Sequence, residues 1–188
     1  LMGLEITRAI GTGYVGRLIA TASTQTADHI IVDRVWVHGA PVDDTATAMH
    51  FSGMTYAALI DSYANDIHCT AIVGVCQDSH VIAGGVGDAR GGPYKVVGNF
   101  LEASGENILL GGGKATTTPA DIEIRRNHLF KPLTWKGTSD AGARVPEGIC
   151  GWAENLAMRA GRILHETCGK RGRDFKNAIE SIADRRRH

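Results

Sequence analysis

Asp88 and Arg90 sit between two glycine pairs in the run GGVGDARGG, residues 84–92. A guanidinium on such a loop can clamp a carboxylate through two parallel hydrogen bonds. A carboxylate beside it can act as a general base where burial raises its proton affinity. A surface turn with a local ion pair fits the same residues. His80 lies upstream at the start of an apolar segment and is the second candidate for proton transfer. Downstream, Gly111-Gly112-Gly113-Lys114 is followed by Thr116, Thr117 and Thr118. Successive bare N–H groups beside a lysine make a nest for carboxylate or phosphate. It is not a Walker A loop: Ile108 stands where the first glycine is required and Ala115 where Ser or Thr is. These residues predict a small anionic metabolite held by Arg90, Gly112, Gly113, Lys114 and Thr116, with Asp88 and His80 handling protons.

A third glycine cluster, Gly11-Thr12-Gly13-Tyr14-Val15-Gly16, satisfies the pattern G-x-G-x-x-G. Asp33 lies further on, where an acid would hold ribose hydroxyls. The string GTGYVG resembles the first turn of the nucleotide-sugar dehydrogenases, and GTGYVGRLI is similar to the dihydrodipicolinate reductase N-terminus. The resemblance covers about 30 residues. It implies a Rossmann-type turn, with NAD(P) held by Gly11, Gly13, Gly16 and Asp33. Two features depart from it: Thr7 and Arg8 make the first strand polar, and Asp33 stands mid-strand. GGGKA followed by Pro119 resembles a segment of the bacterial amino-acid synthesis family, which implies an oligomeric α/β fold. No catalytic residue is carried over from it.

His68, Cys69, Cys76 and His80 carry metal-binding groups, but strand alternation points His68 and Cys69 to opposite faces, so no metal is assigned. Cys150 and Cys168 complete the cysteines. No CxxC pair and no secretory leader is read, which predicts reduced thiols in a cytoplasmic protein. Lys+Arg and Asp+Glu are 20 each, so no net field steers the chain to nucleic acid or membrane. Arg185-Arg186-Arg187 reads as a solvated helix end.

The elements that position these groups follow from periodicity. Met2 is read as the start, and 2–188 as a single domain without internal repeats. Leu4–Ile10 predicts a short strand, and Tyr14, Val15, Leu18, Ile19 and Ala22 fall on one helix face. Ile30–Val37 predicts a strand. Met54, Ala57, Ala58, Leu59 and Tyr63 predict a helix reaching about Asn65. Ile67–Val75 and His80–Ala83 predict a hairpin around Gln77-Asp78-Ser79. Asn107–Leu110 predicts a strand. The segment after Thr118-Pro119 reads equally as a helix start or, from Ile122 and Ile124, as a strand. An apolar stripe from Ile149 to Leu164 and another from Phe175 to Ile182 predict two C-terminal helices. The expected fold is α/β or α+β, a mixed sheet with glycine-rich loops after strands. The expected function is an enzyme acting on the anionic metabolite, with NAD(P) or as a cofactor-free lyase or isomerase in a small homo-oligomer. A non-catalytic metabolite-binding or assembly protein is the alternative.

Overall fold

The chain's apolar runs are short and are cut at regular corners. In the computed structural model, which describes residues 1–70, 75, 76, 78–84, 91–111, 121–132 and 135, with backbone alone for 156–159, those corners fold it into a parallel β-solenoid. β1 (Glu5–Thr7) and the short β2 (Ala27–Asp28) come first. A triplet follows: β3 (Ile31–Asp33), β4 (Trp36–His38) and β5 (Thr47–His50). After the short β6 (Met54–Thr55) come β7 (Ala57–Ile60), β8 (Tyr63–Ile67) and β9 (His80–Gly84). The next rung is β10 (Tyr94–Val97), β11 (Phe100–Ala103) and β12 (Ile108–Gly111). The last is β13 (Ile122–Arg125), β14 (His128–Phe130) and β15 (Leu156–Arg159). Face 1 orders β3-β7-β10-β13, face 2 β1-β4-β8-β11-β14 and face 3 β5-β9-β12-β15; β2 pairs with β6. Every ladder is parallel.

Register stacks like upon like. Val32, Leu59 and Val96 form an inward column on face 1. Val37, Ala64 and Leu101 do so on face 2. Met49, Ile82 and Ile108 do so on face 3. All nine are buried in one core, with Phe51 and Tyr94 filling it at a ring separation of 4.6 Å. Each rung alone cannot bury its apolar side; stacking on its neighbours at about 4.8 Å does so. On the outside of face 2, Trp36, Tyr63, Phe100 and His128 align in register. Tyr63 and Phe100 stack at 4.5 Å and 11°. Their ring faces are turned to one another, so this column ties rungs together.

The corner between faces 1 and 2 takes two residues. Its first residue has left-handed φ: Arg34 (51°), Asp61 (45°), Gly98 (74°) and Arg126 (54°). Its second residue builds a hydrogen-bonded ladder through the interior. Ser62 Oγ accepts from the Val35 N–H (3.0 Å), Asn99 Oδ1 from the Ser62 N–H (2.9 Å) and Asn127 Oδ1 from the Asn99 N–H (3.0 Å).

This architecture corrects the expected one. The sheets are parallel rather than mixed, and no α-helix occurs among the described residues, so the α/β (or α+β) reading fails. The periodicity at Tyr14–Ala22 is not helical: Val15 and Ile19 form parallel bridges to Thr45 and Met49. Met54–Tyr63 is strand, corner, strand, with turns at Tyr56 (φ 49°) and Asp61. The expected hairpin is absent, because β9 pairs in parallel with β5 and β12. The helix expected from the apolar stripe at 149–164 is contradicted at Leu156–Arg159, which pairs with β12 as a strand. The expected helix at Phe175–Ile182 lies outside the described residues, as do Cys150 and Cys168. The chain does repeat: equivalent corner residues Val35, Ser62, Asn99 and Asn127 are 27, 37 and 28 positions apart. Cys69 and Cys76 are not thiols; they form a disulfide with a Cα–Cα distance of 5.4 Å. No helix among the described residues is long and apolar enough to cross a membrane.

Candidate functional site

Beside face 3, the chain between β1 and β2 folds over the end of β5 and encloses a groove of about 650 Å³. Its floor is set by backbone pairing. The His50 N–H donates to Ile19 O (2.9 Å), and the Ala27 N–H donates to Gly53 O (2.9 Å). The wall is a turn closed by the Gln25 N–H on Ala22 O (2.9 Å), and Thr21 Oγ1 ties it to Ser52 O (3.0 Å). Gly53 permits this approach. It has φ +78°, and a Cβ there would lie 2.7 Å from Thr21 Oγ1 and 3.0 Å from Gln25 O.

The lining is polar and rich in hydroxyls: Thr21, Ser23, Thr24, Thr26, Ser52 and Thr55, with Gln25 among them. Ser52 Oγ is buried and has no hydrogen-bond partner among the described residues, an unusual state for a polar atom. Three ionisable groups join them: Arg17, Asp28 and His50. Asp28 Oδ1 accepts from Thr55 Oγ1 (2.5 Å) and its Oδ2 contacts His29 Nδ1 (2.5 Å). Those bonds hold its carboxyl below the usual carboxylate range. Burial, then the charges of Arg17 and His80, push the His50 imidazole down to about 4. At neutral pH the groove therefore presents one cation, one tied carboxylate and a neutral imidazole.

The sign of the pH dependence follows. The unfolded chain protonates His50 near pH 6.5, but the folded chain does so only near 4. Stability is expected to fall as pH drops through that window. Solvent screening at this half-buried position limits the loss to about 1–2 kcal/mol. Urea unfolding at pH 7 and pH 4.5, on the protein and on His50→Gln, checks it; an equal slope in both sinks the assignment.

A second ionisable cluster lies at the start of β9. His80 Nε2 donates to Glu106 Oε2 (2.9 Å) and lies 3.5 Å from Asp78 Oδ1. Burial pushes the Glu106 carboxyl up, but the His80 hydrogen bond and charge, helped by Lys131, outweigh it and the net is downward. The donor atoms of Asp78, His80 and Glu106 lie within 4.8 Å of one another, a spacing compatible with a metal ion. The His80–Glu106 pair satisfies the same atoms without one. The earlier set of His68, Cys69, Cys76 and His80 is closed to metal, because the two sulfurs are bonded to each other.

Of the residues singled out from sequence, His80 is in this second cluster. Asp88, Arg90, Gly112, Gly113, Lys114 and Thr116 lie outside the described residues. Gly11 and Gly13 have φ of +73° and +65°. Their loop is pinned by the buried Arg8, which donates to Thr12 Oγ1 (2.9 Å), Gly13 O and Asp44 O (2.6 Å), and pairs with Asp43 (3.4 Å). Arg8, odd in a strand, is thus a loop anchor. Gly16 leads into no helix, so the helix N-terminus that a dinucleotide-binding turn requires is not formed there. Asp33 is on face 1, paired with Arg34 at 2.8 Å, whereas the glycine loop adjoins the strand edge of face 3.

Comparison with protein-family models, with curated proteins and with solved structures finds no match to this chain. The groove residues Arg17, Asp28, His50 and Ser52 were not singled out from sequence. The one local signal was the hydroxyl-rich run TASTQT at 21–26.

Proposed function

We propose that this β-solenoid recognises a polyhydroxylated ligand bearing a carboxylate, an acidic sugar, in the groove between Arg17 and His50. The observation that carries this reading is a guanidinium beside an uncharged imidazole in a cleft lined by hydroxyls. Arg17 supplies the only cation among the described lining residues. It suits a carboxylate, with which it makes charge-assisted and bidentate hydrogen bonds. The threonine and serine hydroxyls each donate and accept, as a sugar's own hydroxyls do. Ser52 Oγ would gain the partner it lacks among the described residues. The anionic ligand anticipated from sequence is thereby reassigned to Arg17. The disulfide supports an oxidising compartment rather than the cytoplasm.

Isothermal titration with a uronate oligosaccharide and its neutral counterpart tests the reading. The protein is expected to prefer the acidic form, and Arg17→Ala to weaken that binding about tenfold or more while barely changing the neutral one. Equal affinity for both oligosaccharides would overturn it.

A further inference from the structure

We propose that the groove cleaves as well as binds: His50 is the proton acceptor for β-elimination at a 1,4-linked uronate whose carboxylate is held by Arg17. This rests on the acidic-sugar reading and deepens it. The distinction between cleavage chemistries comes from the groove's own groups. Hydrolysis of a glycosidic bond ordinarily uses two carboxyl groups, one as acid and one as base or nucleophile. Among the described lining residues Asp28 is the sole carboxylate, and both its oxygens are engaged by Thr55 and His29. Elimination next to a carboxylate needs less: one base, and one cation to bear the charge that develops on the carboxylate.

The step balances without a cofactor. The imidazole nitrogen of His50 takes the proton from the carbon bearing the carboxylate. The electron pair of that C–H bond becomes a carbon–carbon double bond, and the bond from the adjacent carbon to the glycosidic oxygen breaks. The oxygen leaves with its electron pair and takes a proton from water. The imidazolium returns its proton to solvent. Between these events the substrate carboxylate carries added negative charge, and the Arg17 guanidinium stabilises it. Binding also strengthens the base. The positive charges of Arg17 and His80 are among the causes that disfavour protonated His50, and a bound carboxylate offsets them. The product carries a double bond conjugated to its carboxylate, which absorbs in the ultraviolet where the substrate does not.

The test incubates the full chain with polygalacturonate and with alginate, following ultraviolet absorbance, while affinity electrophoresis in the same polymers measures binding. The expected result is an absorbance rise on at least one polymer. His50→Gln and His50→Asn are expected to slow it at least about 100-fold with binding kept within about threefold. Thermal melts verify that each variant is folded. Binding without any absorbance rise in the unmodified protein overturns the elimination and leaves the acidic-sugar reading standing. Absence of binding overturns both. A folded His50 variant that keeps the full rate removes His50 from the chemistry.

Discussion

Replacing Asn99 by Ala is expected to destabilise the solenoid by about 3–4 kcal/mol. The side chain is 2% exposed and serves three rungs at once. Its Oδ1 accepts from the Ser62 N–H (2.9 Å). Its Nδ2 donates to Leu59 O (2.9 Å) and to Asn127 Oδ1 (2.9 Å). Alanine would remove all three bonds and leave the buried Ser62 N–H without its partner. Such a group costs about 1–3 kcal/mol, more than the net worth of the bond itself. Urea unfolding monitored by far-ultraviolet circular dichroism measures the loss. Asn99→Ser is the informative companion. Ser62 fills the same corner position one rung earlier and caps the Val35 N–H with its hydroxyl (3.0 Å), so serine should recover part of the stability. A loss under about 1 kcal/mol for Asn99→Ala would mean that the ladder is not what fixes this corner.

The same corners explain what the sequence hid. A helix is inferred from apolar residues three and four apart. In this solenoid a strand of three to five residues ends at a corner that resets the alternation. Inward residues therefore fall at uneven intervals. Met54 and Ala57 are both buried in the core, three positions apart, because the turn at Tyr56 lies between them. That spacing mimics a helical stripe. Where no corner intervened, the strand expected at Asn107–Leu110 matches β12; of the two readings left open after Thr118-Pro119, the strand through Ile122 and Ile124 is the one the fold takes, as β13. The repeat is not legible in the sequence because its spacing varies and its corner residue changes from Val to Ser to Asn. The groove was hidden for another reason. Arg17 and His50 are far apart in the chain and meet only because the segment at Val15–Ile19 pairs with Thr45–Met49. Likewise, His80 was legible as a titratable group, but its partner Glu106 lies 26 residues away on the next rung.

Gly39→Ala is expected to cost about 3 kcal/mol or more, seen as a large drop in melting temperature or a failure to fold. A Cβ on Gly39 would sit 1.9 Å from Asp66 O and 2.9 Å from Asp66 C, and backbone cannot swing aside as a side chain can. The clash falls where the chain leaves face 2. There the Gly39 N–H donates to Asn65 O (3.1 Å), His68 Nε2 donates to Ala40 O (2.8 Å) and the Thr45 N–H donates to His68 O (2.8 Å). Relieving the overlap would separate two rungs and strain all three bonds. Gly11→Ala is the contrast. Nothing lies within 4 Å of its Cβ position, and only its φ of +73° resists a side chain, at about 1–2 kcal/mol. The sequence reads Gly11 as one of the glycines of a cofactor-holding turn; in the fold its Cβ position is open, whereas Gly39 meets the next rung of the same chain. Matched melts of the two variants would decide between these roles: equal shifts would show that the Gly39–Asp66 contact relaxes freely.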